Sequence, residues 1–168
     1  MVDYNVLLRK FLSYNFPAHI IVWSMYFLQE RTQFVRVRDN NSGCLALHAG
    51  TPQGTRSGPN DFKMLINDLC FDIDYVKYVD DTTVASVSDD PTDHSLQSAA
   101  DHLSVWCTKN GMRLNTMKTK EMVIYFGKKF DKQLLTQLTI DGQPIERVPS
   151  FKLHGIIFSS DLSWEQHV

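Results

Sequence analysis

The sequence has too few cysteines for a disulfide framework and none spaced to hold zinc. Cys44, Cys70 and Cys107 are far apart, odd in number and form no CxxC pair, a pattern that argues for reduced thiols in an intracellular compartment. The six histidines also lack ligand spacing. His94 and His102, eight residues apart beside aspartates, read as part of a solvated helix face. No apolar run reaches membrane-spanning length; the longest, around "IIVWSMYFL", is followed by "QER". The opening "MVDYNVLLRK" lacks the basic start, apolar core and cleavage site of a secretory signal. Internal repeats and low-complexity tracts are missing too. What remains is an ordinary globular composition, 43% hydrophobic and 21% charged, over 168 residues, enough for one domain or a piece of a larger one.

Net charge is only −2, but it is unevenly spread. Phe71 to Val105 holds eight aspartates against one lysine, while Trp106 to Gln133 holds seven basic residues against two acidic ones. Both stretches are compatible with solvated faces. For charge runs in general that is the commoner reading; the sharper one is an acidic cation site beside a basic, phosphate-facing strip.

Apolar spacing at Val6, Leu7, Phe11 and Leu12 predicts a first helix, and Pro17 opens a second, "AHIIVWSMYFLQE". "TQFVRVRD" and "CLALHAG" predict a hairpin turning at Asn40 to Gly43. A breaker-rich loop, "TPQGTRSGPND", precedes a helix over "FKMLINDL". "YVKYV" and "TTVASV" form a second hairpin with Asp80 and Asp81 at its tip. A long helix follows from Pro91, capped by Gly111. "EMVIYFG" reads as a strand, "LTIDGQPIERV" as a hairpin turning at Asp141-Gly142, and "KLHGIIFS" as a last strand. This order predicts an α+β layer, an antiparallel sheet backed by helices on one face with the other face open. Adjacent carboxylates in "KYVDDTTVAS" then have two explanations. Either they make a polar turn by bonding their own backbone, or a doubly charged cation sits on them.

The motif order bears on that choice. "GTPQGTRSGPNDF", "INDL", "YVDD", "WCTKNGMRLNTMKTKEMVIYFG" and "FKLHGIIFSSDLSW" stand in series. The series resembles the reverse transcriptases of non-LTR (LINE-like) retrotransposons over essentially the whole chain. The resemblance implies a polymerase palm-type antiparallel sheet backed by helices, with residues 150–168 forming the primer-grip strand and the start of the thumb. It implies an RNA-directed DNA polymerase that extends a DNA primer on an RNA template by two-metal nucleotidyl transfer, with Mg²⁺ or Mn²⁺ as cofactor and deoxynucleoside triphosphates as substrates. Asp80 becomes a metal ligand and Asp81 its acidic neighbour at the same site. Lys118 stands near the triphosphate. Pro52, Gln53, Gly54 and Tyr78 line the template and nucleotide, and Phe151 and Gly155 the primer grip.

Departures from the family pattern accompany this. Its further metal-binding aspartate lies in a strand before a sequence like "SKAFDxVDH", of which "MVDYNVLL" matches only the end, at Asp3 and Tyr4. The expectation is therefore a partial domain over residues 1–168, without fingers or first catalytic strand, inactive alone and completed by the rest of a parent polyprotein. The alternative is a non-catalytic nucleic-acid-binding remnant using Lys118, Lys120, Lys128 and Lys129. An intracellular site of action is expected, and nuclear action would follow from target-primed integration in relatives. Ser57, Asn60 and Asp61 stand where many relatives have bulky apolar residues, and His154 where an apolar residue is usual.

Overall fold

A computed structural model describes residues 2–50, 52, 54–90, 92–126, 135–165 and 167. They fall into two compact units. One comprises Met1–Cys70, Tyr78–Asp80 and Trp106–Arg113; the other comprises Phe71–Lys77, Asp81–Val105 and Leu114–Val168.

The first unit is built on helices. Helix α1, Tyr4–Ser13, starts where the Asp3 carboxylate accepts from the backbone N–H groups of Asn5 and Val6 (2.8 and 3.4 Å), satisfying donors a helix start leaves free. Its Val6, Leu7 and Phe11 are buried with Val2, Leu28 and Leu65 in one apolar cluster. Helix α2, Ala18–Leu28, follows Pro17 as the sequence predicts. Although apolar all round, it buries only Ser24 and Leu28 and leaves Val22, Trp23 and Tyr26 exposed.

Strands β1 (Thr32–Gln33), β2 (Arg36–Val37), β3 (Asn40–Asn41) and β4 (Leu45–Ala46) form nested antiparallel ladders, β2 with β3 and β1 with β4. The expected hairpin exists, but its turn is at Arg38-Asp39, and Asn40 and Asn41 are strand residues. Arg38 takes φ +54, and a positive φ at the first turn position matches the twist of two paired strands. Arg36 faces Asn41 and Thr32 faces Ala46. One extra residue therefore lies on the returning strand beyond Ser42, a β-bulge that takes up the Gly43-Cys44 stretch. Helix α3, Ser57–Ile66, begins inside what reads as a loop, because Gly58 and Pro59 fall in its first turn, where proline costs no hydrogen bond.

The second unit contains most of the hairpin of β5 (Asp74–Tyr78) and β6 (Asp81–Ala85), whose Tyr78–Asp80 segment is counted with the first, and most of helix α4, Ser95–Lys109. The helix starts later than expected; Pro91 itself lies outside the described residues. It ends in a Schellman motif: Met112 N–H bonds Cys107 C=O (2.8 Å), Gly111 N–H bonds Thr108 C=O (3.2 Å), and Gly111 has φ +63. Beyond it stand β7 (Lys120–Glu121), β8 (Thr139–Ile140), β9 (Gln143–Pro144), β10 (Glu146–Arg147), β11 (Ser150–Leu153) and β12 (Ile156–Ser159). Asp141-Gly142 turns β8 into β9 with both φ angles positive, as predicted. Of the expected strand "EMVIYFG", whose Gly127 lies outside the described residues, only Glu121 among those described is strand, paired through β7 in parallel with β10. There Lys120 sits opposite Glu146 and Glu121 opposite Arg147, and both pairs form ion pairs. Sliding the pairing by one residue would set Lys120 against Arg147, so charge fixes this register.

Two expectations need correction. The last strand is a hairpin, β11 with β12, turning at His154-Gly155 (φ +48 and +89). Both positions require the left-handed region, which histidine enters more readily than the apolar residues usual in relatives. And a single antiparallel sheet is not what the strands build: among the described residues every sheet has two strands, one of them parallel. Short strands and frequent turns leave too little paired length to merge the ladders. The α+β class stands.

Candidate functional site

Residues 74–85 alternate in exposure. Asp74, Val76 and Tyr78 of β5 and Asp81, Thr83 and Ala85 of β6 are exposed, while Tyr75, Lys77, Thr82 and Val84 are half-buried. Side chains of a strand alternate in this way when one face is covered. The cover is aromatic. Phe71 meets Tyr75 edge-on at 5.2 Å between ring centres and His102 of α4 at 5.8 Å. Phe71 thus links the half-buried face of the hairpin to α4, while the alternate side chains are exposed.

The turn is Val79-Asp80. Val79 takes φ +55 and is exposed. A β-branched residue in the left-handed region is strained, typically by about 1–3 kcal/mol, and such strain gathers at functional turns. Asp80 and Asp81 are exposed, and among the described residues no lysine or arginine pairs with either.

Elsewhere in the acidic stretch, aspartates make turns. Asp90 accepts from the Thr92 N–H and hydroxyl (2.8 and 2.7 Å), and Asp93 from the Ser95 N–H (2.8 Å). These bonds hold both carboxyls below their ordinary range. No such backbone bond engages Asp80 or Asp81 among the described residues. The polar-turn explanation thus fits Asp90 and Asp93, not the adjacent pair. Two free carboxylates are hard oxygen donors of the kind Mg²⁺ and Mn²⁺ take, with remaining positions left to water and phosphate. The donor type matches such an ion, and among the described residues no three potential ligands gather at one place.

The other predicted residues sit on their own elements. Pro52 is buried, and its carbonyl accepts from the Thr55 hydroxyl (2.8 Å), which also accepts from the Gly58 N–H (3.2 Å). A Cβ at Gly58 would fall 2.5 Å from the Pro52 oxygen, so only glycine lets the loop pack on the first turn of α3. Gly54 has φ +74; Gln53 lies outside the described residues. Lys118 is exposed on a turn closed by Asn115, whose side-chain oxygen accepts the Lys118 N–H (3.2 Å). Phe151 pairs across the ladder with Phe158, and Gly155 forms the turn. Of the basic strip, Lys120 is committed to Glu146, and Lys128 and Lys129 lie outside the described residues.

Sequence reasoning missed a three-way clamp in the first unit. The Asp68 carboxylate pairs with the Lys10 amine and accepts from Trp106 Nε1–H (3.1 Å), and the amine lies 5.2 Å from the Trp106 ring centre. It joins α1, the turn after α3 and α4. The available signal was Lys10 itself, one turn after Val6 on the buried stripe. Asp61 is only 8% exposed, with no hydrogen bond or ion pair among the described residues, on the stripe between Gly58 and Leu65. Burial pushes its carboxyl up to about 6.

The profile of the reverse transcriptase (RNA-dependent DNA polymerase) family matches residues 1–158, and the chain belongs to that family of nucleotidyltransferases. It is similar to the RNA-directed DNA polymerase from mobile element jockey of Drosophila melanogaster, 24% identical over 165 residues. The alignment covers 91% of this chain and 18% of that protein, so the chain spans less than a fifth of its relative. No helix among the described residues is long and apolar enough to cross a membrane.

Proposed function

We propose that the chain contributes the palm of an RNA-directed DNA polymerase, with Asp80 and Asp81 holding divalent cations against primer and nucleotide. The observation that carries this is the pair of exposed carboxylates, left unengaged on a strained turn, in a member of this family. Bound there, Mg²⁺ or Mn²⁺ would activate the primer 3′-hydroxyl and steady the leaving pyrophosphate. The chain's own part is positioning. Two neighbouring carboxylates, repelling each other in the free state, favour a dication over sodium or a single proton. Tyr78 offers an apolar ring beside them for a base or sugar. Pro52, held by Thr55, and Gly54 would present backbone to the template pair. Lys118 places a positive charge for the triphosphate. The 150–159 hairpin would hold the primer end.

The reading includes a further carboxylate from outside the described pair, supplied by the parent polyprotein. The chain alone then binds primer, template and nucleotide without turnover. The test uses a DNA primer on an RNA template, followed by fluorescence anisotropy and by elongation. A templated deoxynucleotide with Mg²⁺ should tighten binding, and Asp80→Asn should remove that effect. Elongation by the 168 residues alone would overturn the incomplete-site reading. Binding that depends on salt but ignores nucleotide, metal and Asp80 would instead favour a nucleic-acid-binding remnant.

A further inference from the structure

We propose that Phe71 is a positioning residue for the acidic turn, acting through Tyr75 to fix how the β5–β6 hairpin leans on α4. The proposal rests on the metal-binding reading above. A two-stranded hairpin alone is marginal in water, and this one has no third strand among the described residues. Packing on its half-buried face contributes to its orientation. Phe71 takes part in that packing. It stands three residues before β5, places its ring against Tyr75 (5.2 Å, 64° between planes) and turns a second edge to His102 of α4 (5.8 Å, 72°). Edge-to-face packing of this kind is directional, so the bridge sets an angle as well as a contact. Tyr75 lies on the half-buried face and Asp81 begins the partner strand on the exposed face. A change of tilt at Tyr75 is therefore passed through the ladder to the carboxylates, for which no hydrogen bond or ion pair is present among the described residues.

The test measures Mn²⁺ alone, by electron paramagnetic resonance of the free ion, in the full chain well below its unfolding temperature. Phe71→Ala should weaken Mn²⁺ binding about tenfold, in the range seen when groups supporting metal ligands are removed, while Phe71→Tyr, which keeps the ring, should stay within about twofold. His102→Ala, at an exposed helix position, should weaken it in the same direction and less; it decides the matter if Phe71→Ala fails to fold. Wild-type affinity in both Phe71→Ala and His102→Ala, with binding lost in Asp80→Asn, would overturn the bridge and leave the metal site standing. Undiminished binding in Asp80→Asn would remove the site itself. A merely structural Phe71 would change the unfolding temperature without changing the affinity of the folded chain.

Discussion

Asp80-Asp81 and the stretch from Asp90 to Asp93 are ten residues apart, and they use one side chain in opposite ways. At Asp90 and Asp93 the carboxylates turn back on the local backbone and organise the approach to α4. At Asp80 and Asp81 they do not, although a tight turn lies directly beneath them. Asp68 adds a third case, a carboxylate whose two oxygens serve two different elements. An aspartate that stabilises a fold has its oxygens engaged by that fold, and the adjacent pair leaves its own available to something else.

This contrast should appear in stability before any activity is measured. Asp68→Ala leaves the Lys10 amine, itself buried, without its counter-charge; the expected loss is about 3 kcal/mol, at the low end for a broken buried pair because Asp68 is half exposed. Thermal unfolding should show a fall of several degrees. Next is Asp61→Leu, which should stabilise the chain by about 2 kcal/mol by replacing an unpartnered buried carboxyl with an apolar side chain. The sign with pH follows from burial. The folded chain holds the Asp61 proton more tightly than the unfolded one, so the stabilisation is present in acid and lost as pH rises from about 4 through 6. Asp61→Leu should flatten that part of the stability curve in denaturant titrations. A smaller loss is expected for Asp93→Ala, which frees the Ser95 N–H, read as fraying of α4 in amide exchange. Asp80→Asn and Asp81→Asn should change stability least, within about 0.5 kcal/mol, as surface substitutions away from structural contacts do. A large loss in either variant would break the contrast.

Local chemistry was legible in the sequence and distant pairing was not. The Asp3 start of α1, the Gly111 cap and the Asp141-Gly142 turn each follow from residues within a few positions of one another. The hairpin carrying Asp80 and Asp81 was legible for the same reason. The turn at Arg38-Asp39 was not, because Asn40 to Gly43 has the composition of a turn and only cross-strand pairing moves it. "KLHGIIFS" reads as continuous β-propensity, yet His154-Gly155 bends it back. The Asp68 clamp and the Phe71 bridge join residues about 30 to 60 positions apart, and no local pattern announces them. The functional reading came from motif order, since the pair of acids alone left two explanations open.

The most direct measurement is nuclear magnetic resonance of the full chain with sub-stoichiometric Mn²⁺, which broadens signals near wherever the ion rests. The account predicts selective loss of the Val79 to Thr82 amides, abolished in the Asp80→Asn, Asp81→Asn double variant. Broadening centred on Asp89 to Asp93, or spread evenly over the acidic surface, would contradict it.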